Sequence, residues 1–150
     1  MADDRDALIE HYRQTRAELL SAIEGLRDEQ MTEPSIDGWS VKDHLAHITL
    51  WDEIRAHEVE RISAGYEAAW RMRGEQDGVY SELGYTLRHD LSLDQVKWEL
   101  ATSRQSLLDA IAATTPRGLD GSRYGEAGLW SNHERQHAGW IKRWREEKGY

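Results

Sequence analysis

Apolar residues recur along this chain at helical spacing in four stretches, separated by segments that lack the period. Between Asp3 and Leu26, the residues Leu8, Ile9, Tyr12, Leu19, Leu20, Ile23 and Leu26 fall for the most part three, four or seven apart, one face of an amphipathic helix. The turn from Arg27 to Trp39, which holds Pro34, ends it. A second helix is predicted from Ser40 to Gly65 through Val41, Leu45, Ile48, Trp51, Ile54, Val59 and Ile62. Its start is readable, because the Ser40 hydroxyl can accept from the third amide while Asp43 lies in the first turn, close to a capping box. A third helix begins similarly at Ser92-Leu93-Asp94-Gln95 and keeps its period through Val96, Leu100, Leu107, Leu108 and Ile111 until Pro116. The last begins near Ser131, after a glycine-bearing loop from Gly118 to Gly128, and runs to the end.

The stretch from Gly65 to Leu91 scatters Trp70, Met72, Val79, Leu83 and Leu87 and predicts one short helix, Val79 to Arg88. A connection of that length lets the second and third helices run parallel. No apolar–polar alternation marks a strand, and no repeat or low-complexity segment occurs. The expectation is an all-α chain, a four-helix bundle with a long crossover between helices two and three, as one domain over residues 1–150.

Composition then narrows the chemistry. With 28 Asp and Glu against 19 Lys and Arg, the formal charge is −9. That balance offers no basic face to a phosphate backbone, so nucleic acid is not an expected partner. Mean hydropathy is low, at −0.80, but seven Trp supply large buried areas. No run of 18 apolar residues and no basic-then-apolar leader occurs, which predicts a cytoplasmic protein with no membrane partner. Cysteine is absent, so disulfides, thiolate zinc sites and a Cys nucleophile are excluded together. Any metal must be held by imidazole and carboxylate.

Histidine therefore carries the candidate chemistry. On the last helix, Trp130, His133, His137, Trp140 and Trp144 are spaced three and four apart, the spacing of an inward stripe. An i, i+4 imidazole pair can chelate one ion, or both can be hydrogen-bonded core histidines. Read literally, His133-Glu134-Arg135-Gln136-His137 is H-E-x-x-H, which would make Glu134 a candidate catalytic base. Trp140 and Arg143 stand where the extended protease motif has Gly and His, and Ser131 with Glu134 spells a capping box, so protease is a poor reading. A third ligand should come from another helix. His44 and His47 are available on the second, and periodicity alone favours His44, which lies nearer the centre of the face carrying Val41, Leu45 and Ile48.

At these residues the chain resembles a known family. Gly38-Trp39-Ser40-Val41-Lys42-Asp43, then Leu45-Ala46-His47, Trp51-Asp52-Glu53 and the C-terminal His133, His137 and Trp140-Ile141, look like the DinB-like superfamily. It includes the damage-inducible DinB families, the YfiT-like hydrolases and the bacillithiol or mycothiol S-transferases. The resemblance implies an up-down-down-up bundle and a divalent metal held by three histidines, here His47, His133 and His137. It displaces the periodicity choice and leaves His44 as a histidine behind the ligands or a core residue. It also suggests a homodimer. Leu91 to Trp98 and Ser103 to Leu108 resemble the colibactin self-protection branch, whereas the full His set points back to metal-binding members.

The resulting expectation is a metal-dependent enzyme acting on a small molecule, as a hydrolase or a thiol S-transferase, with Zn or Ni suited to imidazole ligands. A transferase would take its thiolate from a low-molecular-weight thiol, the chain having no Cys. The alternative is a non-enzymatic binding or self-protection protein, or a dimeric bundle braced by a structural metal. Trp39, Trp51, Trp130 and Trp140 are candidates for pocket walls, although core packing is the first reading for Trp140 and Trp144. The glycine loop is placed to close over the site. His11, His57 and His89 read as surface residues, Glu58 and Glu60 with Arg55 and Arg61 as exposed charge pairs, and Glu146-Glu147-Lys148 as a solvated tail.

Overall fold

The first helix, α1, spans Arg5–Ile23 and buries Leu8, Tyr12 and Leu19 on one side. The computed structural model describes residues 3–70, 74–126 and 128–150; of residues 74–76 only the backbone is described. Met72, counted above among the scattered apolar residues, lies outside the described residues. After α1 come a single helical turn, α2 (Asp28–Met31), then α3 (Val41–Ser63), α4 (Gly74–Arg88), α5 (Leu93–Ala112), two 3-10 turns (Pro116–Leu119 and Gly121–Arg123) and α6 (His133–Lys148). No strand occurs among the described residues, and the chain is all-α as its period predicts.

Capping follows the sequence at two starts. Ser40 Oγ accepts from the Asp43 amide at 3.2 Å while the Asp43 carboxylate takes the Ser40 amide at 2.9 Å, closing the box. Ser92 caps α5 through the Gln95 amide. At α6 the expected box does not form. Asn132 precedes the helix, Ser131 Oγ takes the His133 amide instead, and Glu134 turns into the interior. The helix in the crossover is also longer than predicted, since Gly74–Arg88 adds more than a turn before Val79.

Polar contacts in register give the directions of the long helices. Tyr12 to Leu129, Arg16 to Glu134, Glu18 to Arg135 and Ala22 to Arg145 ascend α1 and α6 together, so these two run parallel. Lys42 to Leu91, Asp52 to Arg104 and Ile62 to Arg117 do the same for α3 and α5. Arg5 on the Thr114 carbonyl and Arg16 on the Leu100 carbonyl set α1 antiparallel to α5. The crossover thus returns the chain to a second helix of the same sense. Gly84 lets α4 lie close on α3, a Cβ there meeting Leu50 Cδ2 at 3.2 Å. Arg88 ties the end of α4 to Glu53 and Glu99.

Two apolar clusters fill the bundle. One gathers Leu19, Met31, Leu45, Ile48, Leu100, Ile141 and Trp144, the other Leu8, Tyr12, Val59, Leu107, Ile111 and Leu129. Between them lies a charged layer, with one residue from each long helix: Arg16, Asp52, Arg104 and Glu134, all buried. Arg16 donates to Asp52 at 2.7 Å and to Glu134 at 2.5 Å. Arg104 donates to both oxygens of Asp52 at 2.9 and 3.1 Å and to Glu134 at 2.5 Å, and Thr15 adds a hydroxyl to Glu134 at 2.9 Å. Two cations and two anions balance, and nearly every donor is used, which makes the burial tolerable.

Several side chains fall elsewhere than their spacing suggested. Leu20 is 49% exposed, and Thr15 and Arg16 take the buried positions beside Leu19. Trp130 is 45% exposed and packs on His11, outside the inward stripe. Arg55 and Glu58 are buried, not an exposed pair; Glu58 receives the Ala69 and Trp70 amides as well as Arg61. No helix among the described residues is long and apolar enough to cross a membrane.

Candidate metal centre

Four histidines meet where α3 crosses α6. The capped start of α3 fixes the phase at which His44 and His47 leave the helix, and α6 presents His133 and His137 one turn apart. The Nε2 atoms of three of them converge: His133 lies 3.1 Å from His47 and 3.0 Å from His137. Ligand atoms of His47, His133 and His137 all fall within 4.8 Å of one another. His44 is set behind this group, its Nδ1 2.7 Å from the Nδ1 of His137. Periodicity had favoured His44 for the convergent position, and it is His47 that occupies it.

The ring-to-ring contacts are held in place by aromatic neighbours. Trp39 packs edge-on against His44 at 5.3 Å and lies 5.6 Å from His47. It is aimed there by a two-residue reverse turn in which Ile36 and Trp39 exchange both backbone bonds, with Asp37 and Gly38 at φ 51° and 90°. Asp37-Gly38 is a turn signal in the sequence itself, inside the longer segment from Arg27 to Trp39. Trp51 lies 5.2 Å from the His133 ring. Tyr85 of α4 stacks on Trp39, and His89 in turn on Tyr85. His89 and His57 are surface residues as expected, His89 with its Nδ1 3.2 Å from the buried Asp43 and His57 with its Nδ1 3.7 Å from Glu60. His11 is instead half-buried against the Ser131 carbonyl.

Burial disfavours the imidazolium form at all four sites. It pushes His44 down to about 4, and with the neighbouring imidazole of His133 it takes His47 to about 3. Burial and the Arg55 charge bring His133 to about 4, and burial with His133 and His47 drives His137 lower still. At neutral pH the cluster is therefore four neutral rings carrying free lone pairs. The buried His47 Nδ1 and His44 Nε2 have no hydrogen-bond partner.

An open cavity of about 750 Å³ lies over the cluster. Trp39, Trp140 and Trp144 form its apolar part, and Asp37, Arg143 and Glu147 its charged rim. Trp144 is buried as expected, but Trp140 is 45% exposed and serves as a wall over His137 rather than as core. Trp51 and Trp130, also expected as walls, are not in the lining, nor is the glycine loop, whose Gly125 and Gly128 line a small cavity with Trp51 and Trp70 instead. Glu134 is next to His133 in sequence but points away. Burial alone would raise its carboxyl, yet Arg16 and Arg104 hold it below the usual range, and both its oxygens are committed to these two and Thr15. It is a poor proton acceptor for anything in the cavity.

The charged layer was missed in the sequence, although a signal existed. The apolar period skips a turn in α1 between Tyr12 and Leu19 and in α5 between Leu100 and Leu107, and Arg16 and Arg104 stand in these two gaps.

Comparison with known proteins agrees with this architecture. A solved structure described as an uncharacterised protein from Escherichia coli UTI89 superposes with a TM-score of 0.74, covering 97% of this chain and 94% of that one at 17% identity, which is a likeness of fold. No curated protein matches the chain at a significant level. The sequence model of the DinB superfamily matches residues 11–141, a span that contains the capped start of α3, the charged layer and all four clustered histidines, and on that match the chain belongs to the DinB superfamily.

Proposed function

We propose that this chain is a metal-dependent enzyme for a small molecule, with a divalent cation held by His47, His133 and His137 beneath the open cavity. The observation that carries the reading is the convergence of three neutral Nε2 atoms on His133. One ring nitrogen either donates one proton or offers one lone pair, so three such nitrogens can form a single good hydrogen bond among themselves and leave one lone pair buried and unused. A cation accepts all three. Four-coordinate ligands at the usual Zn–N distance stand about 3.3 Å apart, close to the separations seen here. Zn and Ni both suit imidazole.

His44 supports the arrangement from behind. Its Nδ1 faces the His137 Nδ1, and when the His137 N–H donates to it the His137 Nε2 lone pair is left facing His133, the outer contact that orients a ligating histidine. No further His or carboxylate joins the set among the described residues, and all three histidines line the open cavity, which would leave room there for a water or substrate ligand, as catalytic rather than structural sites do. A bound divalent ion supplies Lewis acidity there and lowers the pKa of a coordinated water or thiol towards neutrality. Trp39 and Trp140 exclude water from one side of that position and give an apolar surface for a substrate. Hydrolysis and thiol transfer both fit; in the second the thiol comes with a low-molecular-weight cosubstrate, since the chain has no Cys.

Metal analysis of protein purified without a His tag tests the reading. One equivalent of divalent metal is expected in the wild type and none in His47→Ala or His133→Ala. Full retention by either variant would sink the three-histidine site. Screening the metal-loaded protein against small electrophiles, with and without low-molecular-weight thiols, then separates the two reactions.

A further inference from the structure

The buried guanidiniums of this protein follow a rule that one of them breaks. Arg16 and Arg104 each carry the carboxylates of Asp52 and Glu134, and Arg88 carries those of Glu53 and Glu99. Arg55, 7% exposed, has no such partner among the described residues, and its Nη2 is buried without any hydrogen bond. Its guanidinium lies 5.9 Å from the Tyr12 ring and 5.8 Å from the Trp51 ring. Ring faces compensate only part of the desolvation of a cation that cannot lose its proton.

Beside Arg55 lies a cavity of about 20 Å³, lined by Trp51, Arg55, Glu58, Trp70 and Tyr124 with the glycine loop. It shares no lining residue with the large cavity. The indole N–H groups of Trp51 and Trp70 are both buried and unpartnered, like Arg55 Nη2. The acceptors nearby take none of the three: Glu58 receives the Ala69 and Trp70 amides and Arg61, and the Tyr124 hydroxyl, which donates to the Gly118 carbonyl at 2.6 Å, accepts from none of them. Three residues of the wall thus carry a buried donor without a partner, one of them charged.

We infer that this cavity binds a small monovalent anion, a halide or a carboxylate group of formate size, through Arg55 Nη2 and the indole N–H groups of Trp51 and Trp70. The volume suits one species not much larger than water, which excludes a phosphate ester or a whole substrate. The Glu58 carboxylate in the same wall is paired with Arg61, which leaves the Arg55 charge to be met by one anion and no more. A neutral water would satisfy the donors but leave the guanidinium charge uncompensated, so the anion is the better match. The inference does not depend on metal binding by the histidines.

Anion-dependent thermal unfolding tests it. The full chain, in gluconate buffer at constant ionic strength, is titrated with sodium chloride and separately with sodium formate. A saturable rise in Tm is expected with at least one; chloride alone identifies a free halide, formate alone a carboxylate. Arg55→Met should lose the saturable response, and Trp70→Phe should move its midpoint at least about tenfold higher, one charge-assisted donor being removed. A wild-type response that never saturates, or one unchanged in Arg55→Met, overturns the site. Should Arg55→Met not fold, the anomalous signal of bromide in crystals of the wild type decides. A bromide peak beside Arg55 supports the site, whereas no peak there with no shift in Trp70→Phe overturns it.

Discussion

His44 and His47 stand three residues apart on α3 and do different work, and the difference is set by phase and not by residue type. His47 reaches the convergent Nε2 group, while His44 meets the far side of the His137 ring. His44→Ala is expected to keep one equivalent of metal with affinity about 10- to 100-fold weaker, since only the orienting contact is lost. Competition against a calibrated chelator measures this. Complete loss of metal from that variant would show that the helix face picked by periodicity alone was the correct one. At the same scale, Glu134 shows how a motif misleads: the H-E-x-x-H spacing is present, but the carboxylate lies 100° round the helix from His133 and is neutralised by two guanidiniums.

The charged layer is a property of the elements, because each long helix supplies one member. Arg104→Met would leave Asp52 and Glu134 sharing Arg16 alone, one buried negative charge in excess. A destabilisation of about 3–5 kcal/mol is expected in urea unfolding. Adding Glu134→Gln removes the excess charge and should recover part of that loss; a double variant as unstable as the sum of its parts would mean that the residues do not act as a unit. The cap of α3 is a smaller contribution. Ser40→Ala should cost about 1 kcal/mol by the same measurement, while His44 and His47 keep their phase through the packing of Leu45 and Ile48.

Across the whole molecule the buried imidazoles couple stability to pH. In the unfolded chain each histidine takes a proton near 6.5, whereas in the folded, metal-free protein His44 and His133 do so only at about 4 and His47 at about 3. Between these values the unfolded state binds more protons, so stability is full above about pH 7 and falls as pH drops through 6.5 towards 4. Glu134, held below its ordinary 4.5, loses its contribution only under that value, so the interval from pH 5 to 6.5 reports the histidines. The Tm of chelator-treated protein should decline across it, and a flat Tm there would contradict neutral burial. Metal should raise Tm at pH 7.5 and steepen the fall below pH 6, because protons compete for the same nitrogens.

The helices, their capped starts at Ser40 and Ser92 and the pairing of His133 with His137 were legible along the chain, since each depends on residues within a turn or two of one another. The superfamily resemblance added His47, which local spacing did not. What the sequence alone determined is therefore an all-α chain that, with cysteine absent, has only imidazole and carboxylate to hold a metal, with His133 and His137 paired on one helix. Only the tertiary structure decided which imidazoles meet, that Trp140 is a wall and Glu134 a structural anion, and that Arg55, unlike the other buried arginines, has no carboxylate partner among the described residues. Those outcomes depend on how α3 and α6 face each other, and a helical period records which residues share a face but not what the face will meet.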